Sequence, residues 1–406
     1  MMTRREMMLR TIGGLVTSEL PWAPRLDLWY LANRRAGTLP REFRNATLRE
    51  LVDGMGWGYH AIVPNFLDVR GELDSVDRGL GIYNLWMMPG RTVLENVRRH
   101  VERDGDLTRV SYETPMGTIR TEALHDESMR AAGVTISHIT EYAIKSPADF
   151  AALGYIFENA RVEANYAGYE EYADHVGGRG VAAGFVSLAG SPMHLIVREL
   201  MPFDQFYYAL YDAPDELTAL AEKIGGYWRR MMEVACGCAA EIIFVGANYD
   251  AAMTYPPFFA EHIKPWLQRY AAECHGKGGG RGKYLLTHVD GENTGLLDHY
   301  LDCGFDIADS ICPSPMTKLT LREVREKFAR GGGKITIMGG VPSVALLGDS
   351  MSDREFERFL DSFFADLGDG SGQILGVSDT TPPAAKWERL VKIGERAREF
   401  GNIAPR

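Results

Sequence analysis

The sequence has no long hydrophobic run. Its longest candidate, around Ile242 to Val245, falls far short of the roughly 18 apolar residues needed to span a bilayer, so no membrane-spanning segment is expected. It also lacks a basic surplus. Its 44 Lys and Arg stand against 55 Asp and Glu, and the resulting charge of −11 argues against nucleic acid, whose phosphates demand cationic neutralisation. Cysteine is scarce: five thiols in 406 residues, an odd number thinly spread, do not make a disulfide framework. The pair Cys236-Gly237-Cys238 closes a helical pattern, where small thiols pack as apolar groups. No apolar signal region with a small-residue cleavage site follows the charged opening Met1 to Leu9, so a cytoplasmic location is expected. The Gly-rich stretches Gly276–Gly282 and Gly331–Lys334 have no phosphate-loop spacing and read as turns before strands. Repeats of fixed period and long low-complexity segments are also missing, and a single domain over residues 1–406 is the economical reading.

What the chain does have is alternation of short β-branched runs with amphipathic helical patterns, the mark of a parallel α/β protein. Strands are predicted at Leu26–Tyr30, Ala61–Asn65, Val181–Leu188, Glu241–Gly246, Lys283–His288, Phe305–Asp309, Lys334–Gly339 and Gln373–Val377. About eight such strands close a single (β/α)8 TIM barrel. Leu107–Thr114 and Gly117–Leu124 alternate in hydropathy around Pro115-Met116, predicting a β-hairpin. With helices near Pro147–Phe157 and Tyr166–His175 it forms an insertion, about residues 93–175, between the second and third barrel strands.

Reacting groups of such barrels lie at the carboxyl ends of the strands. The richest end is Lys283 to Asn293, where His288 and Asp290, two places apart on a strand, share a face. An imidazole and a carboxylate on one face can hold a metal ion, act as an acid/base pair, or serve structure alone. Other ends supply Asn248, Tyr249 and Asp250, then Asp309 and Ser310, then Ser378, Asp379 and Thr380; each alone also serves as a cap or turn residue. Several carboxylates meeting one imidazole predict a cation or a shared proton. Arg34 and Arg35, after the first predicted strand, are candidates for capturing an anionic ligand. Asn65 and Asp68 follow the second, Cys312 lies just beyond the sixth, and His194 follows Gly190-Ser191-Pro192-Met193 at the third.

Several segments resemble the uroporphyrinogen decarboxylase superfamily: Met2 to Ile12, Leu26-Asp-Leu-Trp-Tyr30, Arg34-Arg35-Ala36-Gly37 with Pro40, Glu113-Thr-Pro-Met-Gly117, Lys145-Ser-Pro-Ala-Asp149, and His288 to Lys386. The resemblance implies a (β/α)8 barrel and one of two activities. Its decarboxylases carry Arg-Gln-Ala-Gly-Arg for a carboxylate-rich tetrapyrrole; here Thr38 replaces the second arginine, and Asp68 is a loose positional match for their acidic residue. Its methyltransferases work with corrinoid proteins and bind zinc through His-x-Cys and a later Cys. Here His288-Val289-Asp290 matches the pair with an acid in place of the thiol, and Ser378-Asp379 occupies the later place. The resemblance thus implies a methyltransferase moving a methyl group between a small O- or N-methyl compound and a partner's corrinoid, with a divalent metal, zinc among the options, on His288, Asp290 and Asp379. A decarboxylase, or a binding barrel without catalysis, are the alternatives. Asp250 is a further catalytic candidate, and Arg34, Arg35, Asn65, Asn248, Tyr249 and Ser310 are candidates for holding substrate. A corrinoid protein would cover the mouth, and a homodimer is an arrangement that many barrels adopt.

Overall fold

A computed structural model describes residues 2–276, 282–332 and 335–405; the Gly-rich turns predicted across 277–281 and 333–334, and the predicted strand start at Lys334, lie outside them. Ahead of the central sheet come β1 (Gly90–Leu94), β2 (Arg98–Asp104), β3 (Leu107–Thr114), β4 (Gly117–Leu124), β5 (His138–Glu141) and β6 (Ala160–Ala164). The central sheet follows with β7 (Ala183–Ser187), β8 (Ile242–Ala247), β9 (Tyr284–His288), β10 (Ile307–Ile311), β11 (Thr336–Pro342) and β12 (Gln373–Ser378). These last six run parallel in sequence order, with helices between them, in a mixed α/β fold.

Both faces of the parallel sheet are buried, which explains its near-continuous apolar strands. One face carries Ala183, Phe185, Phe244, Leu286, Ile307, Met338 and Ile374, joined by Met8 and Ile12 of the helix Arg4–Ile12. The other carries Ile243, Leu285, Ala308, Ile337 and Leu375, packed under the surrounding helices. The predicted hairpin forms as β3 and β4, Leu107 opposite Leu124 and Thr114 opposite Gly117, and β2 and β5 widen it to four antiparallel strands. β1 and β6 pair separately. No helix of the described residues is long and apolar enough to cross a membrane.

The first two predicted strands do not form, and a ring of eight regular strands is not seen among the described residues. Leu26–Tyr30 lies at the start of a helix, Asp27–Ala36, ended by Gly37 in the left-handed region. Leu26, Trp29 and Tyr30 are spaced i, i+3, i+4 and all are buried, a helical face in place of the predicted strand. Ala61–Asn65 is irregular because Pro64 has no N–H for a ladder, and the Asn65 side-chain Oδ1 turns the chain by accepting from the Leu67 amide at 2.9 Å. Two other spans meet the sheet edges. Pro21 to Ala23 exchanges hydrogen bonds with Leu375 of β12, both 2.8 Å, its extended backbone favoured by the flanking prolines. Gly58 donates to the Trp22 carbonyl at 2.8 Å, and Ala61 accepts from Ala183 of β7 at 3.1 Å.

Near the carboxyl ends of the central strands, Tyr249 fills the space left by Gly190 and Gly246. A Cβ on Gly246, whose φ is +87°, would stand 1.7 Å from the Tyr249 hydroxyl. Gly246→Ala is therefore expected to lower stability by about 3 kcal/mol, from overpacking plus an unfavourable backbone, read as a lower urea midpoint; an unchanged midpoint would contradict this packing.

Candidate metal and active site

His288 ends β9 and Asp309 sits beside it on β10, the two being direct ladder partners. Each lies two places beyond an inward core residue, Leu286 and Ile307, so period-two geometry sends both side chains inward at the carboxyl end. His288 Nδ1 is 2.6 Å from Asp309 Oδ2, and its Nε2 is 3.2 Å from Asp379 Oδ1, just past β12. Asp379 Oδ1 also accepts from Arg25 Nη1 at 3.0 Å, while Arg25 Nε lies 3.3 Å from Asp27. His60 Nε2 approaches Asp309 Oδ1 at 3.6 Å. Beside them, Asp290 accepts from Asn248 Nδ2 at 3.2 Å and from the Cys312 thiol at 2.7 Å.

Burial opposes a charge on His288, but Asp379 and Asp309 outweigh it and raise its pKa to about 10. Burial would raise both carboxyls in turn. The hydrogen bond from His288, with the His60 ring nearby, holds Asp309, and the charges of Arg25 and His288 hold Asp379, well below the usual carboxylate range. Burial and the neighbouring Asp290 push the Cys312 thiol up, keeping it protonated. Four carboxylates, of Asp27, Asp290, Asp309 and Asp379, thus face the Arg25 guanidinium, the His288 imidazolium and the His60 ring.

One ligand atom from each of His288, Asp290 and Asp379 falls within a 4.8 Å cluster, the group of three or more His, Cys, Asp or Glu found in such an arrangement among the described residues. The donor set suits a divalent cation taking nitrogen and oxygen ligands. Asp309 on Nδ1 supplies what a ligating histidine needs, an acceptor that fixes the ring and leaves Nε2 for the metal.

The other predicted residues fall in different places. Asn248, at a left-handed φ of 58°, reaches Asp290, and its side-chain carbonyl accepts from Arg198 at 3.2 Å. Ser310, at φ 60°, donates to the Asp379 carbonyl at 3.3 Å. Asp250 is occupied by the backbone: its carboxylate accepts from the amides of Ala252 at 2.7 Å and Glu292 at 2.9 Å, so it shapes the loop. Tyr249 is fully buried, accepts from the Thr287 hydroxyl, and packs on His194, which burial keeps neutral. Arg34 and Arg35 are exposed at the last turn of Asp27–Ala36, bound to the Tyr30 hydroxyl and to Glu127, and they line a separate cavity of about 450 Å³.

Beside the cluster opens a cavity of about 540 Å³ bounded by Arg25, Asp27, Tyr59, His60, Trp86 and Tyr172, with Asn65 and Asp68 toward its rim. His288, Asp290 and Asp379 do not line it; Arg25 and His60 form the partition. Reasoning from sequence missed Arg25, Asp27 and His60. Pro21 and Pro24, which bracket Trp22-Ala23, were the available signal: a strand placed there makes Arg25 a strand-end residue.

No family model matches the chain, and no curated protein matches it. Among solved structures, a methyltransferase from Methanosarcina mazei aligns with 98% of this chain and 99% of its own, with a TM-score of 0.52 at 13% sequence identity. That likeness is one of fold, over the full length of both chains.

Proposed function

We propose that this chain is an enzyme that transfers a methyl group from a small O- or N-methyl compound to a corrinoid presented by a partner protein. The observation that carries the reading is the convergence of His288, Asp290 and Asp379 at the carboxyl end of the sheet, in a fold like that of a methyltransferase. In this reading the spans 21–23 and 58–61 take the places of the first two strands and close the ring into a barrel. The three residues would hold a divalent cation, zinc among the options. A cation with oxygen-rich ligands supplies Lewis acidity toward an ether or amine leaving group.

The chain's own groups do the rest. Asp309 orients the His288 ring through Nδ1, Arg25 positions Asp379, and Asn248 with Cys312 fixes Asp290. His288 Nε2 holds a proton when no cation is present, and its pKa of about 10 keeps that proton at neutral pH. Proton and cation therefore compete for one atom. Cation binding near pH 7.5 is expected to release about one proton, read from calorimetric titrations in buffers of different ionisation enthalpy; affinity should rise with pH. Binding with no proton release would remove His288 from the ligand set.

Arg34 and Arg35 do not reach the cluster, which takes away the residues favouring a tetrapyrrole decarboxylase. The deciding experiment mixes the protein with a reduced corrinoid and candidate methyl ethers or methylamines and follows the visible spectrum. Methyl-corrinoid formation supports transfer. Carbon dioxide release from a porphyrinogen in its place, or ligand binding with no turnover, refutes it.

A further inference from the structure

The 540 Å³ cavity beside the cluster is of a size typical of small-molecule sites, and its walls have a specific character. Trp86 and Tyr172 meet edge to face with centroids 6.1 Å apart, and Tyr59 adds a third ring. The Arg70 guanidinium already lies on the Trp86 face, its central carbon 3.3 Å from the ring centroid, while pairing with Glu171 at 2.8 Å. That face thus already accepts a cationic group.

The charge balance points the same way. Arg25 is matched by Asp27 and Asp379, and Arg70 by Glu171, whereas Asp68 and Asp174 have no ion-pair partner among the described residues. The surplus around the cavity is negative. Three buried polar atoms on its lining lack a hydrogen bond among the described residues: Arg25 Nε, which has only its ion-pair contact with Asp27, Trp86 Nε1, on a residue 8% exposed, and His60 Nδ1, on a side chain 7% exposed. The indole N–H can only donate, so an acceptor beside the charged group, a water or a hydroxyl of the guest, would meet it, while the ammonium itself takes the ring faces.

We propose that this cavity binds a small organic ammonium cation bearing methyl groups, seated on the faces of Trp86 and Tyr172 in the place that Arg70 now takes. A methylated ammonium offers what these walls select, a diffuse positive charge with an apolar surface and no need for a hydrogen-bond acceptor. As the identity of the methyl donor, this inference rests on the functional reading above; as a binding site it stands apart from it.

The test is calorimetry on the full chain, without metal or corrinoid, using choline and its neutral isostere 3,3-dimethylbutan-1-ol as probes. Choline is expected to bind at least about tenfold tighter than the alcohol. Trp86→Leu should abolish that preference and Trp86→Phe should keep most of it, which separates loss of a ring from loss of fold. Arg70→Met, by clearing the indole face, should tighten choline binding severalfold and leave the alcohol unchanged. Equal binding of the two probes, or an Arg70→Met variant that binds choline no better than the natural chain, overturns the proposal. A protein that binds choline but methylates no corrinoid keeps this inference and loses the functional one. A protein that demethylates only neutral ethers does the reverse.

Discussion

Alanine at position 288 is expected to weaken divalent-cation binding by more than about 100-fold and to take methyl transfer with it. His288 is the nitrogen donor of the cluster, and losing even a group that merely orients such a donor costs about 10–100-fold. Without the imidazole, Asp290 and Asp379 remain as two carboxylates already engaged by Asn248, Cys312 and Arg25. Metal content after dialysis against zinc, and the corrinoid spectrum with a methyl donor, are the two readouts. Circular dichroism shows whether the variant is folded. A folded His288→Ala protein with unchanged metal content and turnover would end the metal-site reading.

Replacing Asp309 by asparagine should expose how strongly the same cluster holds the fold together. Removing one partner from a buried ion pair costs about 3–5 kcal/mol, because the other charge stays buried without compensation. The pH dependence carries a sign. His288 has a folded pKa of about 10 against an ordinary 6.5, so the stability it contributes is fully present below about pH 6.5 and is lost as pH rises through about 10. Asp309 and Asp379, both depressed, contribute stability above their ordinary carboxyl pKa that is lost on acidification. These are the same contacts seen from both partners and are counted once. Urea midpoints of the metal-free natural chain should therefore fall between pH 6.5 and 10, and the fall should be shallower in Asp309→Asn. Parallel profiles for the two proteins would show that His288 does not draw its charge from Asp309.

The six central strands were legible because both faces of a parallel sheet are buried, which writes short apolar runs such as Ile242 to Val245 into the chain. His288, Asp290 and Asp379 were legible because each closes or follows such a run. The first two spans were not, since they owe their place to a few backbone hydrogen bonds and to proline geometry, with no alternating pattern to betray them. Trp29 and Tyr30 drew attention as a strand because large aromatic residues suit sheets as well as buried helix faces. That displacement hid Arg25 and His60, and gave Arg34 and Arg35 a prominence that their exposed positions do not support. Asp250 and Tyr249 sat at the expected strand end, but only coordinates show that backbone amides use up the one carboxylate and the core encloses the other ring.

The spans at 21–23 and 58–61 also bear on how the molecule behaves in a crowd. An outermost strand left bare offers a row of unsatisfied amides and carbonyls on which a stranger's backbone can nucleate. β12 and β7 occupy the margins of the six-stranded sheet, and each is met by one of these short stretches. The two stretches also meet each other, Gly58 donating to the Trp22 carbonyl, and Pro21, Pro24 and Pro64 bound them, so neither margin of the sheet is left bare.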